Sequence, residues 1–345
     1  MNRKLLLLLL FPISAFAQGV GNSSFGVTQI PVSGISAALG GSQVSINKGD
    51  ILQTADNPAF YDSTSNKSAS FSYMNYISTI NQASAGYARE VEKLGLVSGY
   101  LRYFDYGTFT ETDEVGNEYG KFKAVDYEIG FSLSRKYTDN ISYGFTFKQM
   151  FASMYQYSAY GLGADAGVYY QSDNKQFTAG LVLNNVGLKL KDFTNNNNEW
   201  LPIESSIAIS KKFSKAPIRF GLQYSNLQKW DLAETDADAL ANTKQDQITK
   251  IVSRPVYTFD NLLRHLTASV LLEPNNKFNI FASYNFRRRL ELSTQERPGA
   301  VGFSFGVMMK IKRFSVQYSY SNYHLSSGSN HFAITTNFGE WYSKK

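Results

Sequence analysis

The stretch VGFSFGVMMKI, residues 301–311, decides the fold of this chain. Large apolar residues occupy every second position from Val301 to Ile311, and Gly302, Ser304, Gly306 and Lys310 stand between them. Successive side chains of a β-strand point to opposite faces, so this period of two predicts a strand with one apolar face and one small or polar face. The stretch is also longer than the roughly five or six residues that are typical of strands in soluble sheets.

The same alternation recurs from Ser68 to the end of the chain. It predicts about fourteen strands, an even number, as bacterial outer-membrane barrels require. Their polar faces are rich in Gly, Ser, Asn and Thr, which suits a water-facing lumen. We place the strands near 68–77, 80–90, 94–105, 124–136, 140–153, 160–171, 175–186, 202–212, 217–226, 264–273, 277–288, 299–311, 312–322 and 329–338.

The lengths of the connections favour a membrane barrel over a soluble sandwich. Short periplasmic turns that alternate with longer outer loops are typical of outer-membrane barrels. We therefore predict an all-β fold, a transmembrane antiparallel β-barrel over 68–338, with 339–345 as a C-terminal extension. The tight connections are 91–93, 137–139, 172–174, 213–216, 274–276 and the bend at 310–312, and the longer ones are 106–123, 187–201, 227–263 and 289–298.

Composition supports this prediction. The 345 residues include 23 Tyr and 25 Phe, only 18% are charged, and the mean hydropathy is −0.28. No run after residue 17 is apolar enough for a membrane helix. The net charge of +6 is modest and dispersed, which does not favour nucleic-acid binding. The absence of cysteine excludes disulfides, thiolate metal sites and a lipid-modified N-terminal Cys.

Two segments precede the first strand. Residues 1–17 are typical of a secretory signal peptide, with Arg3 and Lys4, a short apolar run and an Ala15-Phe16-Ala17 cleavage site. Residues 18–67 contain Gly40-Gly41 and the motif Asn57-Pro58, and Gly and Pro suit a tight irregular backbone. We interpret 18–67 as a hatch folded into the lumen, and the alternative is a periplasmic arm beneath the barrel.

Residues with catalytic potential are few. The histidines are His265, His324 and His331, and no Gly-x-Ser-x-Gly elbow or paired acids stand beside them. The spacing of acidic residues does not predict a metal site. We therefore expect a protein that is not an enzyme, with no catalytic residues, cofactor or metal. In the longest outer loop, 227–263, the run at 258–261 is able to cap a short helix through Leu263.

Arginines concentrate at one predicted outer loop. Guanidinium groups bind phosphate through paired hydrogen bonds, so these residues form a hypothetical rim for lipopolysaccharide phosphates. The alternative is a local ion-pair network with Glu291 and Glu296, because surface charges usually pair or remain solvated. The candidate rim consists of Arg264, Arg287, Arg288, Arg289 and Arg297.

Two resemblances extend this interpretation. The N-terminal segments ALGG (38–41) and DNPA (56–59) resemble the hatch of the FadL-type outer-membrane barrels, a family with fourteen strands. Within that superfamily the chain resembles the PorQ family of the type IX secretion system, over nearly the whole mature chain. The segments that carry this resemblance are DNLLRH (260–265), YN (284–285), RRRLEL (287–292), GFSFG (302–306) and NHFAITTN (330–337).

The PorQ resemblance implies a Bacteroidota source and an outer-membrane scaffold for surface attachment of secreted proteins. It implies PorU (a sortase-like peptidase), PorV (a second barrel) and PorZ as partners, besides outer-membrane lipid. The alternative function is passage of hydrophobic compounds, as in FadL itself. The small and polar lumen positions mildly disfavour that alternative, and they are Ser142, Gly144, Thr146, Gln223, Ser225, Asn279 and Ser283.

Overall fold

A computed structural model shows a closed antiparallel barrel of fourteen strands. The structure describes residues 25–193, 200–232, 258–275, 277–292, 299–323 and 327–342. Each strand pairs with its neighbours in the chain, and β1 pairs with β14 to close the barrel. The prediction of about fourteen strands is confirmed. None of the helices in the described ranges is both long and apolar enough to cross a membrane.

The strands follow the alternating segments of the sequence closely. They are β1 Ser68–Ile77, β2 Ile80–Val91, β3 Gly95–Thr112, β4 Glu118–Lys136, β5 Ile141–Met154, β6 Tyr157–Gln171, β7 Phe177–Lys191, β8 Glu204–Lys212, β9 Ile218–Ser225, β10 Leu266–Asn275, β11 Phe278–Asn285, β12 Phe303–Ile311, β13 Phe314–Ser321 and β14 Ser329–Asn337. The helices are α1 Gly34–Ala38, α2 Thr258–Arg264, α3 Phe286–Leu292 and α4 Gly339–Tyr342, and short 3₁₀ turns cover Gly26–Gln29, Ile51–Ala55 and Ser63–Ser65.

The apolar face of each strand points outward. On β12, Phe303, Phe305 and Val307 are 40–50% exposed, whereas Ser304 and Met308 are buried inside. Such a band of exposed apolar side chains on a soluble protein would be an interaction surface or an aggregation hazard. On a barrel that spans a membrane it faces lipid.

The two ends of the barrel differ in their connections. We call the end at which the chain enters β1 the turn end, and it carries the short connections 92–94, 137–140, 172–176, 213–217 and 312–313. The opposite end, called the loop end, carries longer connections such as 192–203, 226–257 and 293–302. All of the longer connections therefore lie at one end, as the sequence pattern predicts, although that end also carries the short connections 78–79, 113–117 and 155–156.

The predicted loop at 106–123 is wrong for most of its length. Strands β3 and β4 continue to Thr112 and from Glu118, so the connection is only 113–117. A β-bulge after Asp105, with Gly107 at a φ of +92°, shifts the pairing by one residue. Beyond the bulge the two strands consist mostly of polar residues (TFTET at 108–112 and EYGKFK at 118–123), so the apolar alternation that marks the other strands is missing there.

The strand predicted at 277–288 ends earlier than expected. Helix α3 begins at Phe286, because the Asn285 side chain accepts a hydrogen bond from the backbone N–H of Arg288 at 3.0 Å and caps the first turn. Likewise, α2 occupies Thr258–Arg264, which confirms the predicted short helix and moves the start of β10 to Leu266. The strand predicted from 299 begins at Phe303.

Candidate functional site

The N-terminal segment, residues 25–67, contacts inward-facing side chains around the barrel. Helix α1 packs against β11, β12, β13 and β14, and the turn Ile51–Ala55 packs against β1, β2 and β3. Most of residues 31–46 are buried. The described part of the segment thus lies among the inward faces of the strands, and residues 1–24 lie outside the described ranges.

The motif Asn57-Pro58 forms a fastened turn. The Asn57 amide donates to the carbonyl of Val44 at 2.9 Å and accepts from the backbone N–H of Ala59 at 2.9 Å. Ser134 on β4 donates to the carbonyl of Pro58, and Ser142 on β5 donates to that of Ala59 at 2.6 Å. Both side-chain functions of Asn57 are used, so the motif holds the segment to itself and to the wall.

Three glycines make room for this turn. Gly144, Gly167 and Gly180 occupy inward positions on the consecutive strands β5, β6 and β7. A Cβ atom on Gly144 would overlap the carbonyl of Pro58, and a Cβ atom on Gly180 would overlap that of Val44. We call these three positions the glycine recess. Only the absence of a side chain lets the backbone of the segment lie this close to the wall.

Apolar contacts join the segment to the opposite wall. Ile35, Leu39 and Ile46 form one buried cluster with residues of three consecutive strands. Burial of a large aliphatic side chain is worth about 1.5–3 kcal/mol, so this cluster contributes substantially to docking. The wall residues of the cluster are Leu271 on β10, Phe281 on β11 and Met308 on β12.

Buried charges hold the first turn of the segment. Arg102 on β3 donates to the carbonyls of Val27 and, at 3.2 Å, Ile30. Its guanidinium also lies 3.5 Å from Glu128, which accepts from the Tyr100 hydroxyl at 2.6 Å. The side chains of Arg102 and Glu128 are at most 4% exposed. A buried charge that loses its partner is strongly destabilising, so Arg102 anchors the segment.

A second charged contact lies near the turn end. Lys48 of the segment pairs with Glu273 on β10. Glu273 also lies 2.8 Å from the Lys212 ammonium and 3.7 Å from the Arg219 guanidinium. Burial lowers the pKa of Lys48, and the carboxylate of Glu273 opposes that shift. The segment therefore contributes one of three cations around a single carboxylate.

Docking of the segment is expected to depend on pH through Asp56. Burial raises the pKa of Asp56 to about 7, against hydrogen bonding from Ser36 and the charge of Arg102, while Asp50 and Glu204 add to the rise. In an undocked segment the carboxyl titrates near 3.9. The docked segment therefore binds more protons than the undocked one between about pH 4 and 7, and docking weakens as pH rises through that window.

The expected result is release of the segment at a lower urea concentration at pH 8 than at pH 5. A dye on a cysteine introduced at Ser63 reports release. Asp56→Asn should remove most of the difference, and some should remain because burial also raises the pKa of Asp50. An unchanged pH dependence in Asp56→Asn would contradict this assignment.

Four of the five candidate rim arginines are described, and Arg297 lies outside the described residues. Arg264 lies 3.0 Å from Asp260, and Arg287 lies 2.7 Å from Glu291. Arg289 donates to the carbonyl of Gly299 at 2.8 Å. Arg288 lies over the ring of Tyr323, 4.0 Å from its centre. Lipopolysaccharide binding stays a prediction, and the local pairing is the arrangement that the alternative interpretation expects.

Arg264, Arg287 and Arg288 line a cavity of about 270 Å³ at the loop end, which we call the vestibule. Other residues of its wall come from the Gly40–Ser42 turn and from Glu204 and Glu291. The vestibule opens inside the ring of strands, so these three arginines face the mouth of the barrel. Sequence reasoning placed them at one loop and did not foresee that they share a cavity with the N-terminal segment.

The described histidines do not form a hydrolytic site. The ring nitrogens of His265 lie 2.6 Å and 3.0 Å from the carbonyl oxygens of Ser225 and Trp230, and its ring stacks on Tyr224. His331 is buried, and neither of its ring nitrogens has a hydrogen-bond partner among the described residues. His324 lies outside the described ranges. In the described residues, no group of three or more acidic or histidine side chains is placed to hold a metal ion.

Sequence reasoning missed the ionic residues of the lumen. Lys148 on β5 lies 2.8 Å from Asp165 on β6, and Arg102 and Glu128 form the pair described above. These four residues lie on the consecutive strands β3 to β6. Each occupies an inward position, and its neighbours along the strand face lipid. A charge at such a position is the signal that could have identified them, because the lumen is where a barrel tolerates charge.

Comparisons with known proteins identify the architecture. No protein-family model and no curated protein matches the chain. Among solved structures, the toluene transporter TodX of Pseudomonas putida matches with a TM-score of 0.52 at 10% identity, covering 89% of this chain and 96% of TodX. A TodX deletion mutant, described as a monoaromatic hydrocarbon channel, matches with a TM-score of 0.53 at 12% identity, covering 89% and 97%. A FadL homologue of Pseudomonas aeruginosa matches with a TM-score of 0.44 at 9% identity, covering 90% and 98%. The chain therefore shares the outer-membrane barrel fold of TodX.

Proposed function

We propose that this protein provides a route through the outer membrane for hydrophobic compounds. The observation that carries the proposal is a closed fourteen-strand barrel that matches a toluene transporter over 89% of the chain. The fold likeness favours this function over the docking role that the PorQ resemblance implies. In this arrangement the turn end faces the periplasm, the loop end faces the exterior, and the N-terminal segment acts as a plug.

The wall beneath helix α1 offers a surface for an apolar solute. Leu271, Phe281 and Met308 point inward and are now covered by Ile35 and Leu39. If the segment moved aside, these wall side chains would form an apolar patch on the inner surface of the barrel. A hydrophobic compound gains free energy by covering such a patch, by the same burial that now holds the segment.

Movement of the segment requires release of its polar contacts. Ser283 donates to the carbonyl of Ala38 and Ser321 donates to that of Ala37, each at 2.9 Å. These bonds are neutral, and a neutral hydrogen bond contributes about 0.5–1.5 kcal/mol net. The contacts of Arg102 and the Lys48–Glu273 pair are ionic and lie elsewhere on the segment. The polar contacts that hold helix α1 are therefore the weaker ones, and its release is opposed mainly by the apolar cluster.

A second function, docking of partner proteins in type IX surface attachment, is favoured by the polar lumen. Several of the inward positions named from the sequence are buried in contact with the segment, among them Ser142, Gln223 and Ser283. A permanently filled lumen would leave the loop end as the functional surface. The partners proposed for it are PorU, PorV and PorZ, with lipopolysaccharide as a lipid partner.

One pair of measurements separates the two functions. The first is uptake of radiolabelled toluene into cells that lack their own hydrocarbon channels and express this protein, compared with uptake of a polar solute of similar size. The second is affinity purification of the tagged protein from gently solubilised outer membranes. At least ten-fold faster toluene uptake with the barrel recovered alone supports passage. Unchanged uptake, with recovery of a sortase-like peptidase and a second barrel, supports docking.

A further inference from the structure

The loop-end vestibule contains a cation that no carboxylate in the described structure neutralises. Arg264 pairs with Asp260 and lies 3.9 Å from Glu291, and Glu291 also pairs with Arg287. Within the described ranges, Arg288 has no carboxylate within ion-pair distance. Among the three arginines that line the vestibule, Arg288 is therefore the one that lacks an ion-pair partner in the described part of the chain.

Arg288 is held in one orientation by contacts that leave part of its donor capacity unused. Its guanidinium lies over the Tyr323 ring at 4.0 Å from the ring centre. A cation over an aromatic ring is attracted to it by about 0.5–2 kcal/mol, which fixes the plane of the guanidinium. The Nη1 atom is buried and has no hydrogen-bond partner among the described residues. A buried donor without an acceptor is unfavourable, so the guanidinium of Arg288 is incompletely satisfied within the described ranges.

The N-terminal segment forms the opposite wall. Gly41 has a φ of +129°, and a Cβ atom there would come within 2.9 Å of Arg288 Nη2. The Asn285 amide donates to the carbonyl of Gly40 at 3.1 Å, while its oxygen caps α3. The Gly40-Gly41 turn thus lets the guanidinium approach the segment closely, and the cavity of about 270 Å³ remains beside it.

We propose that the vestibule binds an anionic group, a carboxylate or a phosphate, with Arg288 as its principal ligand. Guanidinium presents paired N–H donors that match the oxygens of both anions. Glu204 and Glu291 also line the vestibule, and repulsion from their carboxylates favours a ligand whose charge lies at Arg288. The site does not depend on the proposed passage of hydrophobic compounds. The vestibule would bind an anionic molecule that enters the barrel as well as one that stays at its mouth.

The test uses the purified full chain in a non-ionic detergent, with inorganic phosphate and acetate as separate probes. Phenylglyoxal modifies accessible arginines, and mass spectrometry reports the rate at each residue. Phosphate or acetate should slow modification of Arg288 at least five-fold. Arg313, which lies over Trp341 at the turn end, is the matched control and should be unaffected. Protection by only one probe identifies the anion class.

Calorimetric titration of the same probes into variants tests the role of the guanidinium. Arg288→Gln should lower the affinity at least ten-fold, and Arg288→Lys should restore only part of it because an ammonium lacks the paired donors. Tyr323→Leu keeps the charge and removes the ring beneath it, so an intermediate loss is expected. Each variant is checked for heat-modifiable migration on a gel, which reports the closed barrel. Equal protection of Arg288 and Arg313, or equal affinity in Arg288→Gln, would overturn the proposal.

Discussion

Replacing Gly180 by valine is expected to expel the N-terminal segment while the barrel stays closed. A Cβ atom at this position would overlap the backbone carbonyl of Val44, which is not the end of a flexible side chain and has no room to turn away. Overpacking in a well-packed interior costs about 1–3 kcal/mol, and a collision with backbone lies at the upper end of that range. The equilibrium constant for docking of the segment should therefore fall by about 100-fold.

Trypsin cleavage after Lys48 measures this effect. In the docked segment Lys48 is paired with Glu273 and mostly buried, so cleavage should be slow in the unaltered protein and at least ten-fold faster in Gly180→Val. Ion conductance in a planar bilayer should rise as the lumen opens. Ala179→Val is the matched control, because Ala179 is the neighbouring residue on the opposite face of β7. If Gly180→Val is cleaved as slowly as the unaltered chain, the segment does not pack into the glycine recess.

A disulfide between Gly34→Cys and Ala333→Cys is expected to lock helix α1 to β14 and to stop passage of hydrophobic compounds. The Cβ positions of the two residues lie 3.6 Å apart, within the roughly 3.5–4.5 Å that a disulfide requires. The chain contains no cysteine, so the engineered bond has no competing partner. If α1 must be displaced to uncover the apolar patch, toluene uptake should fall at least ten-fold under oxidising conditions and recover with dithiothreitol.

The two single-cysteine variants control for the substitutions themselves. Each should retain uptake under both redox conditions, because neither can form the bond. Mass spectrometry of the tryptic digest verifies that the disulfide has formed. Full uptake through a verified disulfide would mean that passage does not need movement of α1. Uptake that is absent even in the unaltered chain would instead count against passage as such, so the two failures remain distinguishable.

The barrel was predictable from the sequence because its determinants are local. Alternation on β12, from Phe303 to Ile311, records directly which side chains face lipid and which face inward. The continuation of β3 beyond the bulge at Asp105 was not predictable in this way, because the residues after it are mostly polar and show no apolar alternation. The start of α3 depends on one cap by Asn285, which competes with the continuation of an alternating strand.

The contacts of the N-terminal segment were much harder to predict, since they join residues that are far apart in the chain. The motif Asn57-Pro58 was recognisable, but its seat in the glycine recess depends on three glycines that read in the sequence only as small lumen residues. The anchor Arg102 and the shared cavity around Arg288 depend on the register of neighbouring strands. Alternation gives the face of a residue and does not give what lies opposite it.

The contacts of helix α1 also determine the order in which the protein is able to fold. The segment is synthesised before any strand, yet the carbonyl of Ala37 accepts from Ser321, 284 residues later in the chain. Ser283 on β11, which bonds to Ala38, and Gln317 on β13, which lies beside Gly34, are also synthesised late. Contacts between residues this distant form only after long loops have closed. Helix α1 is therefore unable to complete its contacts with the wall until nearly the last strand is in place, although it is among the first parts of the described chain to be synthesised.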